Sequence, residues 1–347
     1  MSYCNHATRY HEFPIAVTEL NHPSKIAVAH DVPVPQLGPD QILVDVYSSG
    51  LNFFDILQAQ GKYQIKPPLP FILGSEFAGR VSHDSPIPEG CPYQPGDRVF
   101  GAAQGTFADK AAASWKRLVP LPDTLTFDQG AGLFVTLPTS YEALVGRADV
   151  KTGEWVLVTA AAGGVGIAAV QIAKVLGAKV IAAAGSQAKL DVACKVGGAD
   201  YGVNYTKAGW QKEVLKITKN KGVDVIYDPV GMINDSLKCI AWGGRALVIG
   251  FAGGTIEKVP MNLVLLKNIS LVGLHWGSYE KYDRTGRTFA VWGEILALLD
   301  SGQLRPVIYN KVYTLEQVTD GLGALERRET WGKAIVRIKE EDAAAKL

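Results

Sequence analysis

The chain is 347 residues long, more than one ordinary hydrophobic core serves, and a guide figure of about 150 residues per domain points to two domains. Hydrophobic residues make up 47% and charged residues 20%, a globular composition, while 35 basic against 34 acidic side chains leave a formal charge of +1. That balance leaves no electrostatic footprint for nucleic acid, and no apolar run reaches the roughly 18 residues of a membrane span.

Cys4, Cys91, Cys194 and Cys239 stand without C-x-x-C spacing, which speaks against a disulfide framework and a structural zinc knot and for a reducing compartment. The N-terminus lacks the apolar core of a signal peptide, so a cytoplasmic address is expected. The ending Ala345-Lys346-Leu347 is related to the peroxisomal S-K-L signal and keeps that alternative open.

From about Ile15 to Pro138 short strand-like runs are cut by proline and glycine, as in Gln41 to Tyr47 and Phe71 to Gly79, and predict a mostly β domain. Beyond Pro138 apolar strands alternate with amphipathic helices: strand Trp155 to Thr159, helix Val165 to Leu176, strand Lys179 to Ala184, helix Lys189 to Val196 and strand Gly202 to Tyr205. Helix Gln211 to Thr218 and strands Val223 to Tyr227, Ala246 to Gly250 and Ile269 to Leu274 follow. Six strands with intervening helices predict an α/β fold, a doubly wound parallel sheet whose ligand crevice lies at the carboxyl ends of the strands. After about Tyr282 helices Phe289 to Leu299 and Leu315 to Glu326 and a strand Lys333 to Ile338 read as a return to the first domain. The expected domains are therefore 1–137 with 283–347, and 138–282.

The sharpest local signal is Val156 to Gly166, an apolar strand that runs through Thr159-Ala160-Ala161-Ala162 into Gly163-Gly164-Val165-Gly166 and opens a helix. Glycine lets the backbone approach a pyrophosphate, and the N–H groups of a helix start favour an anion. The strict G-x-G-x-x-G spelling is absent. About 20 residues on, the second strand ends Ala184-Gly185-Ser186, where an NAD-selective site usually carries Asp or Glu for the ribose 2′-hydroxyl. With Gly185 and Ser186 there, Lys189 one helical step beyond as a point cation, and Tyr205 as a hydroxyl donor after the third strand, NADPH is favoured over NADH.

Several stretches resemble the zinc-independent quinone oxidoreductases of the medium-chain dehydrogenase/reductase superfamily: Gly50-Leu51-Asn52-Phe53-Phe54-Asp55, Gly61-Lys62-Tyr63, Gly74-Ser75-Glu76-Phe77-Ala78-Gly79, Pro95-Gly96-Asp97-Arg98-Val99, the Ala160 to Gly166 turn and Gly250-Phe251-Ala252-Gly253-Gly254. Pro260 to Ser270 with Gly273 to Gly277 is similar to the branch called quinone oxidoreductase-like protein 2. The resemblance runs nearly end to end and implies a Rossmann domain beside a GroES-like catalytic domain. Zinc-dependent cousins carry a cysteine near position 52 and a histidine in a G-H-E motif. Asn52 and Ser75 stand there instead, the four-cysteine lobe is missing, and the histidines at 6, 11, 22, 30, 83 and 275 show no metal-ligand spacing, so no metal is expected.

By the same resemblance Thr139, Asn52 and Phe251 flank the nicotinamide end of the cofactor, Gly163, Gly164, Val165 and Gly166 cradle the pyrophosphate, and Ser186, Lys189 and Tyr205 surround the 2′-phosphate. Arg328 resembles a C-terminal arginine that reaches the phosphate, with Arg327 as the alternative, and Lys333 resembles a lysine near the cofactor.

The implied reaction is NADPH-dependent, zinc-independent reduction of a quinone by hydride transfer. Without zinc the polarising groups must be hydrogen-bond donors in a dry crevice, with Tyr63 the leading donor and Asn52 assisting. Asp55 is expected to orient its neighbours and Glu76 to be a remnant of the metal site. Two alternatives stand beside this reading: reduction of the C=C bond of an enone, enal or enoyl thioester, and an NADPH-binding protein without turnover. A homodimer is the family-level expectation, with Ile269 to Leu274 the candidate pairing edge.

Overall fold

In the computed structural model, which describes residues 14–26, 32–33 and 36–341, the chain divides into two units, 1–134 with 308–347, and 135–307. The Ala345-Lys346-Leu347 ending lies outside the described residues. No helix among the described residues is long and apolar enough to cross a membrane.

The second unit carries a six-stranded sheet, ordered Tyr201–Asn204, Lys179–Ala184, Trp155–Val158, Val223–Asp228, Ile240–Val248 and Ser270–Gly273, with every neighbouring pair parallel. In chain order that is third, second, first, fourth, fifth and sixth, the doubly wound Rossmann arrangement expected from the sequence. Strands covered on both faces read as unbroken apolar runs. Val156, Leu157, Val158, Ile181, Ala182, Ala183, Val225, Ile226 and Tyr227 are all fully buried. Small side chains on the helix Gly164–Val175, among them Gly166, Ala168, Ala169 and Ala173, bring it close to the sheet. The topological switch falls between Trp155–Val158 and Val223–Asp228, where ligand crevices form in such sheets.

The first unit is built on an antiparallel sheet that runs Lys333–Arg337, Gln41–Gly50, Glu76–Val81, Arg98–Ala102 and Leu118–Pro120. Lys110–Ser114 also pairs with Gln41–Gly50, and Ile308–Tyr313 adds a parallel edge beside Lys333–Arg337. The last strand thus lies next to Gln41–Gly50, which brings residue 333 beside residues 50 and 52. The stretch Phe71 to Gly79, expected as one run, is two strands, Phe71–Ile72 and Glu76–Val81. Gly74 turns the chain between them at φ 95°, where a Cβ would lie 2.6 Å from Thr106 Oγ1.

The second domain boundary falls at Val307, later than residue 282. The helix Arg287–Asp300 packs with the second unit: it buries Val291, Trp292 and Ile295, and Arg287 Nε donates to Glu142 Oε2 at 2.9 Å.

Candidate active site and cofactor turn

In the first unit Gln41–Gly50 ends at Gly50, and Asn52 opens the short helix Phe53–Ala59. Asp55, in the first turn, accepts the Asn52 backbone N–H on Oδ2 at 2.8 Å, so its carboxylate caps a helix start that would otherwise leave that donor unsatisfied. The Asn52 amide is committed on every side. Its Nδ2 donates to Glu76 Oε1 at 2.8 Å and to the Gly50 carbonyl at 3.3 Å, and its Oδ1 accepts from Lys333 Nζ at 2.7 Å. A carboxylate on one side and an ammonium on the other leave one way for this amide to face.

Lys333 also forms an ion pair with Glu76, whose carboxylate is fully buried. Two glycines make room for the lysine: a Cβ on Gly50 would lie 2.7 Å from Lys333 Cε, and one on Gly132 would lie 2.9 Å from Lys333 Cγ. Burying such a pair is costly unless each partner finds further hydrogen bonds, and here Asn52 supplies one to each. Glu76, expected to be a remnant, is therefore the anionic hub of a buried network.

Asp55 is the second carboxyl in this network. Ser75 Oγ lies 3.2 Å from its Oδ1, and burial lifts its pKa from 3.8 to about 7, opposed by the Asn52 N–H, Lys333 and Ser75 and reinforced by Glu76. Tyr63, half-buried, stacks on Phe54 with ring centroids 5.3 Å apart. Burial and the nearby Asp55 push its phenol above the ordinary tyrosine range, so its hydroxyl keeps its proton at physiological pH.

In the second unit the strand Trp155–Val158 leads into Thr159 and a turn with Ala160 at φ 46°. Gly163 is the N-cap of the helix Gly164–Val175 and offers no side chain to its N–H groups. A Cβ on Gly166 would run into the Ala160 carbonyl, so the helix start can lie this close to the turn only with glycine there. Bare N–H groups at the helix start, on a turn at the sheet's switch point, fit a pyrophosphate.

Asp228, which the sequence reading passed over, pins the other side of this crevice. It accepts the Thr159 hydroxyl at 2.5 Å and the backbone N–H groups of Val230, Gly231 and Met232 at 3.1, 3.1 and 2.6 Å. Ser140, also unremarked, joins the buried Tyr227 hydroxyl at 2.9 Å and the Val165 carbonyl at 2.8 Å. Neither carried a motif, and their roles appear only when the strands are side by side. Thr139 donates its hydroxyl to the Val135 carbonyl at 2.6 Å and keeps lone pairs to accept from a ligand. Phe251 is 39% exposed in the loop after Ile240–Val248.

Gly185, Ser186, Lys189 and Tyr205 gather at the carboxyl ends of two adjacent strands. Ser186 caps the helix Gln187–Lys195 by accepting the Lys189 N–H at 3.4 Å, and the Tyr205 ring lies against Gly185, where a Cβ would be 3.6 Å from Cε2. In the first unit the structure brings Asn52 and Lys333 into contact, with Tyr63 stacked on Phe54 and near Asp55; the second unit carries the glycine turn and the 186–205 group. Arg328 belongs to the first unit, exposed and in the left-handed region at φ 59°, while its alternative, Arg327, is held by Glu329 at 2.8 Å.

Residues 38–123 match the model of the alcohol dehydrogenase GroES-like domain and residues 164–290 that of the zinc-binding dehydrogenases. Rat quinone oxidoreductase-like protein 2 is 39% identical over 330 residues, 93% of this chain and 91% of that one. The chain belongs to the quinone oxidoreductase family of the medium-chain dehydrogenase/reductase superfamily. Human quinone oxidoreductase is 32% identical over 311 residues, 88% of this chain and 91% of its own. Among solved structures of the family, Escherichia coli quinone oxidoreductase complexed with NADPH superposes with a TM-score of 0.85 at 28% identity, covering 94% of this chain and 99% of that one.

One family model carries zinc in its description, and the donor set at the corresponding place does not suit it. Asn52 and Ser75 offer an amide and a hydroxyl, and Glu76 is already neutralised by Lys333. Among the described residues no group of three or more His, Cys, Asp or Glu is placed to hold a metal ion.

Proposed function

We propose that this protein is an NADPH-dependent, zinc-independent reductase of quinones. The observation that carries the reading is the carboxylate-free end of the strand Lys179–Ala184. Gly185, Ser186, Lys189 and Tyr205 surround a position where an acidic side chain would repel a 2′-phosphate, and a cation and hydroxyls attract it. The family's NADPH complexes support the same choice.

Bound NADPH would supply the hydride, with its pyrophosphate on Gly163, Gly164, Val165 and Gly166 and its nicotinamide end near Thr139, Asn52 and Phe251. We assign Arg328 to the cofactor phosphate. Hydride addition leaves negative charge on a substrate oxygen, and Tyr63, fully protonated at neutral pH, is the hydrogen-bond donor proposed to meet it. Asn52 has both amide hydrogens engaged, so its part is to hold Lys333 and Glu76 in place rather than to donate to substrate. Lys333, buried beside Asn52 and paired with Glu76, occupies the corresponding place and fixes the Asn52 amide there.

A homodimer paired along the edge strand Ser270–Gly273 and a cytoplasmic setting, in keeping with the free Cys91, Cys194 and Cys239, complete the proposal. The test is loss of 340 nm absorbance with NADPH or NADH against a panel of quinones, enones, enals and enoyl thioesters, before and after chelation. Turnover of quinones with NADPH, unchanged by chelator, is expected. Turnover confined to conjugated alkenes would move the substrate class, NADPH binding without turnover would favour a binding protein, and loss of activity on chelation would overturn the metal-free reading.

A further inference from the structure

The buried network holds one cation and two carboxyls. Lys333 pairs with Glu76, leaving Asp55 with an amide N–H and a hydroxyl as hydrogen-bond partners, neither of them charged. Both carboxyls are 0% exposed, so a second full negative charge here lacks solvent and lacks a cation of its own. The hydroxyl of Ser75 borders both environments: it touches Asp55 Oδ1 at 3.2 Å, and Ser75 itself is only partly buried. No other hydroxyl lies within hydrogen-bond distance of the Asp55 carboxyl among the described residues, and Tyr63 stands near enough to feel its charge.

We propose that Asp55 is the proton store of this site and Ser75 its outlet. After hydride addition the substrate carries one extra electron pair as an oxyanion. The Ser75 O–H bond breaks toward that oxygen while the Asp55 carboxylic proton bonds to Ser75 Oγ, which leaves the serine whole and Asp55 ionised. Water then reprotonates Asp55 through the same hydroxyl. The substrate gains one hydride and one proton, and NADPH becomes NADP⁺. This relay rests on the reductase reading above and deepens it. Glu76 is already taken up by its ion pair with Lys333, and the lift of Asp55 to about 7 lets the acid refill near neutral pH.

The experiment compares wild type with Asp55→Asn, Ser75→Ala and Ser75→Thr in single turnovers with NADPH and one enone or one benzoquinone, from pH 5.5 to 9 in H₂O and D₂O. NADPH affinity is measured by fluorescence titration, and the carboxyl C=O band by infrared difference spectroscopy of wild type minus Asp55→Asn. The relay requires a wild-type product-forming rate that falls about tenfold per pH unit above neutrality with a solvent isotope effect. It also requires Asp55→Asn and Ser75→Ala to lose that limb and about 100-fold in rate at pH 6 with NADPH affinity unchanged, and Ser75→Thr to restore both. A protonated-carboxyl band that titrates near neutrality is expected without any substrate. An unchanged profile in Asp55→Asn or Ser75→Ala, or an ionised Asp55 at pH 6, overturns the relay while leaving the reductase standing. Absence of NADPH oxidation by wild type with every acceptor would sink both.

Discussion

Lys333 Nζ donates to Asn52 Oδ1 at 2.7 Å across a separation of 281 residues, so the last strand of the chain fixes the orientation of an amide laid down near its beginning. Both residues are nearly fully buried, and the fully buried Glu76 completes the triangle. This triangle is the fixed arrangement of charge beside which Asp55 and Ser75 are placed.

Lys333→Met removes the cation and takes from the buried Glu76 its ion-pair partner. Breaking a buried pair from one side costs about 3–5 kcal/mol, so a fall of that size in urea-unfolding stability is expected. The double variant Lys333→Met with Glu76→Gln should recover most of the loss, because a neutral amide still accepts from Asn52. A double variant no more stable than the single one would show that the lysine's contribution is packing between Gly50 and Gly132 rather than charge.

Asp55→Asn tests the burial of the second carboxyl through stability alone. The native fold raises its pKa from 3.8 to about 7, so folding favours the protonated form. The stabilising contribution is therefore full below about pH 4, is lost as pH rises toward 7, and stays lost above it. Asparagine copies the neutral acid, accepting from the Asn52 N–H and meeting Ser75. At or below about pH 4 the variant should differ little from wild type, and by pH 8 it should be more stable, by on the order of 4 kcal/mol. Chemical unfolding at the two pH values decides it: a gap that does not widen with pH means Asp55 is ionised in the fold.

The parallel sheet was legible because strands buried on both faces spell unbroken apolar runs, as in Trp155–Val158 and Lys179–Ala184, and because Gly163 to Gly166 marks the turn. The helix Phe53–Ala59 was not read as one, since seven residues give too little periodicity, and the edge strand Ile308–Tyr313 is too exposed to show a clean apolar face. The boundary at residue 282 reflected a change of sequence texture, whereas the Arg287–Glu142 pair and the packing of Val291 and Ile295 decide where the helix Arg287–Asp300 belongs. Asn52, Tyr63 and Lys333 were named from family motifs, but motifs do not report who bonds to whom. That Asn52 is spent on Lys333 and Glu76, and that Asp55 is left without a cation, follows only from strand order and burial.

Lys189→Ala should separate the two nicotinamide cofactors. A charge-assisted hydrogen bond is worth about 1.5–3 kcal/mol, so loss of one to a 2′-phosphate predicts roughly 10- to 100-fold weaker NADPH binding. NADH, which lacks that phosphate, should bind within about twofold of its wild-type affinity. Fluorescence titration with both cofactors is the measurement, and equal losses would take Lys189 out of the phosphate site and leave Ser186 and Tyr205 to explain the selectivity.

Gly166→Ala tests the turn itself. The added Cβ would collide with the Ala160 carbonyl and crowd Ala161 Cα at 3.0 Å, backbone atoms that cannot rotate aside as a flexible side chain could. The helix Gly164–Val175 must then shift away from the turn, and its first N–H groups, aligned for an anion only in the present geometry, move with it. The expected result is a folded protein with a lower melting temperature, by several degrees, and NADPH and NADH affinities reduced together by at least roughly tenfold, one hydrogen bond's worth. Because the pyrophosphate is common to both cofactors, a loss confined to NADPH would contradict this assignment and move the anion contact from the helix start to the 186–205 group.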